Sequence, residues 1–400
     1  MGKRFIIILL IFLTTLSLCS CNYQKKTTEN TETKTAIYAV WLNYNELSIN
    51  SESDKSEVAF RNKAEEIVRN CADNGINRIF VQVRPFSDAF YKSEIFPSTV
   101  YLSGRQGEYV GYDALAIMCE TANRYNIAID AWINPYRVSY DKDYSNLSAD
   151  NPARIWIEQG RTDIVKVTDN GIFYNPSSFD AQKLVLDGVR ELIENYHVSG
   201  IHIDDYFYPT NDEKFDSSEY TDYINKGGYL KLGDWRRENV NSLIEQIYNT
   251  VHSYNDELVF SVSPSGDIEK NYEKYYADVG LWISEKGYCD MMIPQLYYGF
   301  ENENKPFIRT LDNWLSLKRD GEVKLAVGLA FYKYSSEDRY AGSGKDEWMN
   351  SRDIISRQIR HILTIDSIDG FSLYSYSYLF SKNNDENCKK ELQNIKNMLE

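Results

Sequence analysis

The sequence predicts a single (β/α)8 barrel, the TIM-barrel fold, with long loops after several of its strands. Eight strand-like segments alternate with helix-like segments between Ala36 and Leu399. Composition does not change along this stretch, and no internal repeat or second domain is evident. Eight such units without a break favour a closed barrel over a doubly wound sheet.

Each predicted strand is a short apolar run, and each predicted helix has one apolar face. The strands are expected at residues 36–44, 78–84, 127–134, from 200, and at 258–263, 289–295, 324–330 and 370–376. The helices are expected at residues 57–74, 112–125, 179–196, 234–254, 272–286, 306–318, 352–365 and 386–399. Long inserts follow the second, third and fourth strands, on the face where barrel enzymes build their sites.

The N-terminus predicts export. Lys3 and Arg4 precede an apolar run from Phe5 that continues through Leu18. This is the layout of a secretory signal peptide, and the run is short for a membrane span. A plain cleaved signal or an uncleaved anchor would share these features.

The segment Leu18-Cys19-Ser20-Cys21 resembles the bacterial lipobox. This resemblance implies cleavage before Cys21 and attachment of lipid to its thiol. The polar stretch that follows is too poor in apolar residues to fold and is expected to be a disordered tether. We therefore expect a lipoprotein held outside the cytoplasm on a bacterial membrane, with a signal peptide at 1–20, a tether at 21–35 and the barrel at 36–400.

Composition narrows the class of ligand. A formal net charge of −15 argues against nucleic acid, because phosphate binding needs a basic surface. The 32 Tyr, 17 Phe and 7 Trp suit a carbohydrate partner, whose ring faces stack on flat side chains. No cofactor is expected, because the chain has neither a Gly-rich phosphate loop after a strand nor an HExxH motif. A zinc site is not expected either, because the remaining cysteines are far apart without CxxC spacing: Cys71, Cys119, Cys289 and Cys388.

The fourth predicted strand ends on the candidate catalytic residues, Asp204 and Asp205. Strand side chains alternate between faces, so His202 and Asp204 should point the same way. A strand that runs into paired acids delivers carboxylates to the catalytic face of a barrel. The alternative is turn chemistry, in which both acids bond only to the following turn.

Glycoside cleavage usually needs two carboxyl groups, one as acid and one as nucleophile or base. We expect Asp204 to be the nucleophile or base, kept ionised by a hydrogen bond from His202. The alternative for His202 is a core histidine bonded to a backbone carbonyl. Asp205 is the preferred partner acid, and other candidates lie on neighbouring loops: Glu108, Asp113, Asp267 and Glu301. A divalent ion on the two Asp residues lacks further ligands in the sequence.

Polar and aromatic side chains also end the other predicted strands. Trp41 and Tyr332 would stack on sugar rings, while amide and guanidinium groups would hold hydroxyl, N-acetyl or carboxylate substituents. Arg84 and Arg137 fit ion pairs at the barrel mouth equally well. The full set expected to bind substrate is Trp41, Arg84, Asn134, Arg137, His202, Ser263, Gln295, Tyr297 and Tyr332.

Several of these segments together resemble one family. They are Val83-Arg84-Pro85, Ala131 to Arg137, Gly200 to Tyr208, Ser263 to Gly266, Pro294 to Tyr297 and Ala330 to Lys333. In this order and spacing they look like glycosyl-hydrolase-like family ten, a bacterial, exported and often lipidated family. The resemblance extends over residues 36–380. It implies a (β/α)8 glycosidase, with members linked to cell-wall glycan strands.

A more distant similarity is to α-amylase-type barrels, whose fourth strand carries the nucleophile in a Gly-apolar-Arg-apolar-Asp segment. Here Gly200 to Asp204 has this form with His202 in the Arg position, and Asn134 ends the third strand. This resemblance implies that Asp204 is the central carboxylate. The amylase Glu after the fifth strand is absent, because this chain has Ser263-Pro264-Ser265-Gly266 there.

The sequence therefore predicts a membrane-tethered, extracytoplasmic glycoside hydrolase that acts on a polysaccharide, with peptidoglycan glycan strands favoured by the resemblance. The alternative is a surface lipoprotein that binds glycan without cleaving it. A metal-dependent deacetylase or esterase would need converging His and Asp ligands. The four histidines are instead scattered, at positions 197, 202, 252 and 361.

Overall fold

Eight parallel strands close into a barrel in a computed structural model, which describes residues 36–399. All adjacent barrel strands pair in parallel, and the last strand pairs with the first. In chain order, strands β1 to β8 are Ile37–Leu42, Arg78–Arg84, Ala128–Ile133, Gly200–Ile203, Val259–Val262, Met291–Met292, Lys324–Leu329 and Gly370–Tyr374. The predicted fold class is confirmed.

The predicted signal peptide at 1–20, its lipidation residue Cys21 and the tether at 21–35 lie outside the described residues. Among the helices that the structure describes, none is both long and apolar enough to cross a membrane.

Helices follow the barrel strands and bury their apolar faces against them. They are Glu57–Asp73, Ala114–Arg124, Phe179–Asn195, Leu232–Tyr254, Ile268–Lys274, Val279–Ser284, Phe307–Leu315, Ile354–Ile362 and Glu386–Leu399. Polar side chains begin several of them by accepting hydrogen bonds from first-turn N–H groups, as Ser56, Asp113 and Ser178 do.

Two elements differ from the sequence prediction. The single helix expected at 272–286 is two helices, because Tyr276 has left-handed backbone (φ 52°) and Asp278 begins a new helix as its N-cap. The sixth strand, expected at 289–295, is only Met291–Met292. Pro294 lacks an N–H and cannot continue the ladder, although Gln295 still bridges Ser265 and Gly328.

The long insert after β3 contains structure that the prediction left as a polar segment. Helix Pro152–Glu158 is followed by an antiparallel hairpin, Val165–Thr168 with Gly171–Tyr174. Arg137–Ser139 adds a third strand, and we call these three strands the accessory sheet. The sheet stands beside the barrel mouth.

Shorter helices occupy the other loops. They are Tyr44–Leu47, Val100–Ser103, Ser217–Asn225, Glu347–Asn350 and Tyr376–Phe380, with single 3-10 turns at Tyr144–Asn146, Phe331–Lys333 and Gly342–Gly344. A partly buried ion pair of 2.9 Å between Lys166 and Glu219 joins the accessory sheet to the helix in the fourth loop. These loops therefore support one another around the barrel mouth.

The barrel interior is packed with side chains and is not a pore. Its apolar filling comes from Ile37, Ala39, Trp41, Phe80, Trp132, Met291, Ile293 and Ala326. A larger core lies between the strands and the surrounding helices. Because bulky side chains close the interior from below, chemistry is confined to the mouth at the carboxyl ends of the strands.

Candidate active site

A cavity of about 520 Å³ opens over the carboxyl ends of the barrel strands, and we call it the central chamber. Strands and loops from around the barrel contribute to it, as barrel enzymes require. Its lining residues are Trp41, Asn43, Tyr44, Asn45, Gln82, Trp132, Arg137, Tyr140, Asp204, Asp205, Tyr206, Gln295, Tyr297, Tyr332, Tyr374 and Tyr378.

Asp204 is the first residue after β4 and is 5% exposed. The side-chain amide of Asn134, at the end of β3, donates a hydrogen bond of 2.5 Å to its Oδ1. The amide orientation is fixed because Asn134 Oδ1 accepts from Gln82 Nε2 (2.8 Å) and from Arg137 Nη2 (2.7 Å). The third strand thus holds the Asp204 carboxyl in one orientation.

The surroundings of Asp204 favour its protonated form. Burial and the neighbouring Asp205 charge raise the pKa of Asp204 to about 7, against the opposing effects of Arg137 and Asn134. A carboxyl group that titrates near neutrality can donate a proton at physiological pH. The sequence had instead suggested a carboxyl kept ionised.

Asp205 is half-buried and shares the chamber with Asp204. Burial raises the pKa of Asp205 as well, while Lys270, Gln295 and Arg137 oppose that rise. The two adjacent acids titrate as a pair, so removing the first proton makes removal of the second harder. Two carboxyls whose ionisation is linked in this way can divide acid and base work at one site.

His202 does not bond to Asp204, so that part of the prediction is wrong. Its Nε2 accepts a hydrogen bond from Trp41 Nε1 (2.9 Å), and its Nδ1 lies 2.7 Å from Ser261 Oγ. The ring is fully buried and stacks on Phe80, with 4.1 Å between centroids. Burial lowers the pKa of His202 well below its usual value, so the imidazole is neutral. It supports Trp41 from below and does not line the chamber.

The other residues expected to bind substrate divide into two groups. Five line the central chamber: Trp41, Arg137, Gln295, Tyr297 and Tyr332. Asn134 lies just beneath and contacts Asp204, whereas Ser263 is buried with its hydroxyl donated to the Ile293 carbonyl. Arg84 is fully buried away from the chamber, with its guanidinium 4.8 Å from the centre of the Phe96 ring.

The alternative carboxylates do not line the chamber. Asp113 caps helix Ala114–Arg124, and Asp267 caps Ile268–Lys274 while pairing with Lys305. Neither Glu108 nor Glu301 is among the residues that line it. Asp205 is therefore the carboxylate that the structure brings beside Asp204.

One wall of the chamber is aromatic. Rings of Trp41, Tyr297, Tyr332, Tyr374 and Tyr378 contact one another with centroids 5.7 to 6.2 Å apart. Sequence reasoning missed Tyr374 and Tyr378, although Tyr374 ends the eighth strand at the same edge as the other site residues. Lys270 was also missed, because nothing in a surface helix marks one lysine as the neighbour of Asp205.

Arg137 holds the opposite wall together. Its guanidinium lies within 5 Å of the ring centres of Phe86, Tyr140 and Tyr206 and donates to Tyr140 Oη (2.7 Å). Tyr140 and Tyr206 are more than one third exposed, at 57% and 50%. They place two accessible aromatic faces at the rim, stiffened by a cation beneath them.

Among residues 36–399, no group of three or more His, Cys, Asp or Glu side chains is arranged to hold a metal ion.

A closed (β/α)8 barrel with two carboxyl groups after its fourth strand and an aromatic wall is the architecture of barrel glycoside hydrolases. The chain belongs to one particular family of this class. The pattern of the family described as glycosyl hydrolase-like 10 matches residues 36–346. The family resemblance seen in the sequence is confirmed.

Curated relatives carry glycosyl hydrolase names. The chain is 31% identical over 342 residues to glycosyl hydrolase YngK of Bacillus subtilis, a match that covers 80% of this chain and 65% of that protein. It is 27% identical over 330 residues to glycosyl hydrolase DigH of Escherichia coli, covering 76% of this chain and 73% of that protein. The match therefore spans a little under two thirds of the Bacillus relative.

Solved structures share the fold at low sequence identity. The PgaB (BpsB) glycoside hydrolase domain of Bordetella bronchiseptica superposes with a TM-score of 0.59 at 11% identity, covering 90% of this chain and 99% of that one. An α-amylase of Geobacillus thermoleovorans superposes with a TM-score of 0.51 at 11% identity, covering 92% and 78%. These similarities establish a common barrel.

Proposed function

We propose that the protein is a membrane-tethered, extracytoplasmic glycoside hydrolase that cleaves O-glycosyl bonds in peptidoglycan glycan strands, with Asp204 and Asp205 as its catalytic residues. The observation that carries the proposal is the pair itself: a buried carboxyl with a pKa of about 7 beside a second carboxyl, both facing the central chamber. Family membership supports the same class of activity.

The two carboxyls divide the work in this proposal. Asp204 is the general acid, since burial raises its pKa to about 7 so that a substantial fraction is protonated at neutral pH, and it protonates the leaving glycosidic oxygen. Asp205 is the nucleophile or base in this proposal, and Lys270, Gln295 and Arg137 favour its ionised form against the burial that raises its pKa. This exchanges the roles that the sequence suggested for the two residues.

The aromatic wall and the amide groups suit a sugar ligand. The half-buried rings of Tyr297, Tyr332 and Tyr374 offer flat apolar surface, and Gln295 and Arg137 supply donors for hydroxyl, N-acetyl or carboxylate groups. Trp41, expected to stack on a sugar ring, is only 1% exposed and forms the chamber floor instead. Peptidoglycan glycan is proposed as the polysaccharide because the sequence resembles a family with members linked to cell-wall glycan strands.

Tethering at Cys21 is proposed from the N-terminal pattern. Incorporation of labelled lipid should be seen in the wild-type protein expressed in bacteria, and it should be lost in Cys21→Ala. Equal labelling of both proteins would contradict the anchor without affecting the proposal for the barrel.

Product analysis on purified glycan strands, with and without stem peptides, tests the activity. The wild type should release new reducing ends, and Asp204→Asn and Asp205→Asn should each lower the rate at least about 100-fold. Asp113→Asn is the matched control, because Asn also caps a helix well and this residue does not line the chamber.

A surface protein that binds glycan without cleaving it gives a different result. Neither the wild type nor Asp204→Asn would release sugar, yet both would retain glycan strands in a pull-down. That outcome would overturn the hydrolase proposal in favour of glycan binding alone.

A further inference from the structure

A second cavity, of about 390 Å³, lies beside the central chamber, and we call it the side chamber. It is bounded by the loop after β4 and by the accessory sheet, with one residue from the fifth loop. Its lining residues are Tyr136, Arg137, Tyr140, Asn170, Phe173, Asp205, Tyr206, Phe207, Tyr208, Pro209 and Tyr275. The catalytic proposal makes no use of most of them.

The two chambers share one wall. Arg137, Tyr140, Asp205 and Tyr206 line both of them, whereas Asp204 lines only the central chamber. The carboxyl pair therefore stands at the boundary between two binding spaces. A bond cut at this boundary would leave one product on each side.

Tyr136 lines the side chamber and carries an unused polar group. Its side chain is 1% exposed, and its hydroxyl has no hydrogen-bond partner among the described residues. Burying a hydroxyl without a partner costs free energy, so such groups in proteins normally have a protein, water or ligand partner. Burial raises the pKa of Tyr136, and the hydroxyl therefore remains a donor.

The rest of the lining is suited to a sugar. Phe173 and Tyr275 are half-buried and present ring surface, and Asn170 on the accessory sheet's turn adds an amide. Flat apolar side-chain surfaces with a few fixed polar groups are suited to binding a pyranose ring. A positively charged group also borders the side chamber, because Arg137 lies in the wall that the two chambers share.

We propose that the side chamber is a sugar-binding subsite, so that one glycan chain occupies both chambers and is cut in its interior. Tyr136 donates a hydrogen bond to this sugar, and Phe173 packs against its ring. This inference rests on the proposed function for the position of the cut, but the binding it describes can be measured without turnover.

Binding is measured with the full-length Asp204→Asn protein and oligosaccharides of increasing length prepared from purified glycan strands. Affinity should rise once the oligosaccharide is long enough to cross the boundary. Adding Tyr136→Phe should lower the affinity for long oligosaccharides about five- to tenfold, as loss of one hydrogen bond does, and leave that for short ones unchanged. Phe173→Ala should act in the same direction.

Tyr112→Phe is the matched control. Tyr112 is also buried with an unpartnered hydroxyl, but it packs on Phe60 and lines neither chamber. If Tyr136→Phe and Phe173→Ala bind long oligosaccharides as tightly as Tyr112→Phe does, the side chamber is not a subsite. Failure of the parent protein to bind any oligosaccharide overturns the inference too.

Products from the otherwise wild-type enzyme separate this inference from the proposed function. Interior cutting should yield fragments of intermediate length early in the reaction, and Phe173→Ala should shift this pattern. If the enzyme cleaves glycan but releases only terminal units early in the reaction, the proposed subsite is wrong and the proposed hydrolase function stands. If no glycan is cleaved, but binding depends on oligosaccharide length and requires Tyr136, the proposed hydrolase function is wrong and the proposed subsite stands.

Discussion

The indole N–H of Trp41 donates a hydrogen bond of 2.9 Å to Nε2 of His202, which joins the first barrel strand to the fourth across the packed interior. For Nε2 to accept, the ring must be neutral and carry its proton on Nδ1, beside Ser261 Oγ. The histidine therefore acts on the candidate site through Trp41, whose ring it holds at the chamber floor.

This neutral histidine should make stability depend on pH. Its pKa is lowered well below 6.5 in the folded state, so the unfolded chain binds more protons as pH falls below 6.5, and stability is lost in that direction. In His202→Gln this loss should be smaller, by about 1.4 kcal/mol for each pKa unit of the shift that is realised. Denaturant unfolding above and below pH 6.5 measures it, with exposed His197→Gln as control. Identical slopes in the wild type and His202→Gln would contradict the prediction.

Asn134 should set the upper pH limit of activity. Its amide donates to Asp204 and lowers the pKa of that acid, so Asn134→Leu should raise it further. The fall in kcat/KM on the alkaline side, expected near pH 7, should then move upward, by roughly one pH unit, together with a lower maximal rate. Asn123→Leu, on the exposed face of a helix, should leave the profile unchanged. A downward shift would contradict Asp204 as the acid.

Lys270 should set the lower pH limit. Its charge lowers the pKa of Asp205, which must be ionised to act as nucleophile or base. Lys270→Met should therefore move the acid side of the kcat/KM profile upward and leave the alkaline side less affected. Lys274→Met, on the same helix and exposed, is the control. If both variants give the wild-type profile, Lys270 has no part in the ionisation of Asp205.

The buried pair of Arg236 and Asp216 should stabilise the loop that carries Asp205. Two hydrogen bonds of 2.6 and 3.0 Å join fully buried side chains, and Tyr208 also donates to Asp216. Arg236→Met should cost about 3–5 kcal/mol, because it leaves a buried carboxylate without its counter-ion. Denaturant unfolding measures this loss.

A surface pair provides the comparison for that measurement. Lys286 and Glu322 lie 2.7 Å apart with both side chains about 70% exposed, and Lys286→Met should cost less than about 1 kcal/mol. Restoring stability in Arg236→Met by adding Asp216→Asn would support the electrostatic cause. A loss of less than about 1 kcal/mol in Arg236→Met itself would refute it.

The order of strands and helices could be predicted because each barrel strand is an apolar run and each helix has one apolar face. The face of each strand residue was harder to predict. Arg84 was expected beside Gln82 at the mouth, but the pairing of β2 with β3 shifts register between these two residues. Such an irregularity changes where a side chain points, and here Arg84 packs under Phe96 instead.

The sequence pattern also does not predict how deep in the barrel each inward-pointing side chain lies. Alternation correctly places His202 and Asp204 on the same side of β4, since both point into the barrel, but it does not say that one lies a layer below the other. The accessory sheet had a visible signal that was missed. Thr168-Asp169-Asn170-Gly171 is a turn between two β-prone runs, and Gly171 has the positive φ (124°) that favours glycine.

The accessory sheet and its connecting helix lie within one insert, which begins after β3 and ends before helix Phe179–Asn195. This single stretch supplies Tyr140 to both chambers and Phe173 to the side chamber, yet contributes no strand to the barrel. Shortening or exchanging it would resize the cleft and would also remove Arg137, which donates to the Asn134 amide that orients Asp204. Because Ile164, Ile172 and Tyr174 of the insert are buried in the main core, a change of glycan preference made through this insert carries a cost in the stability of the whole domain.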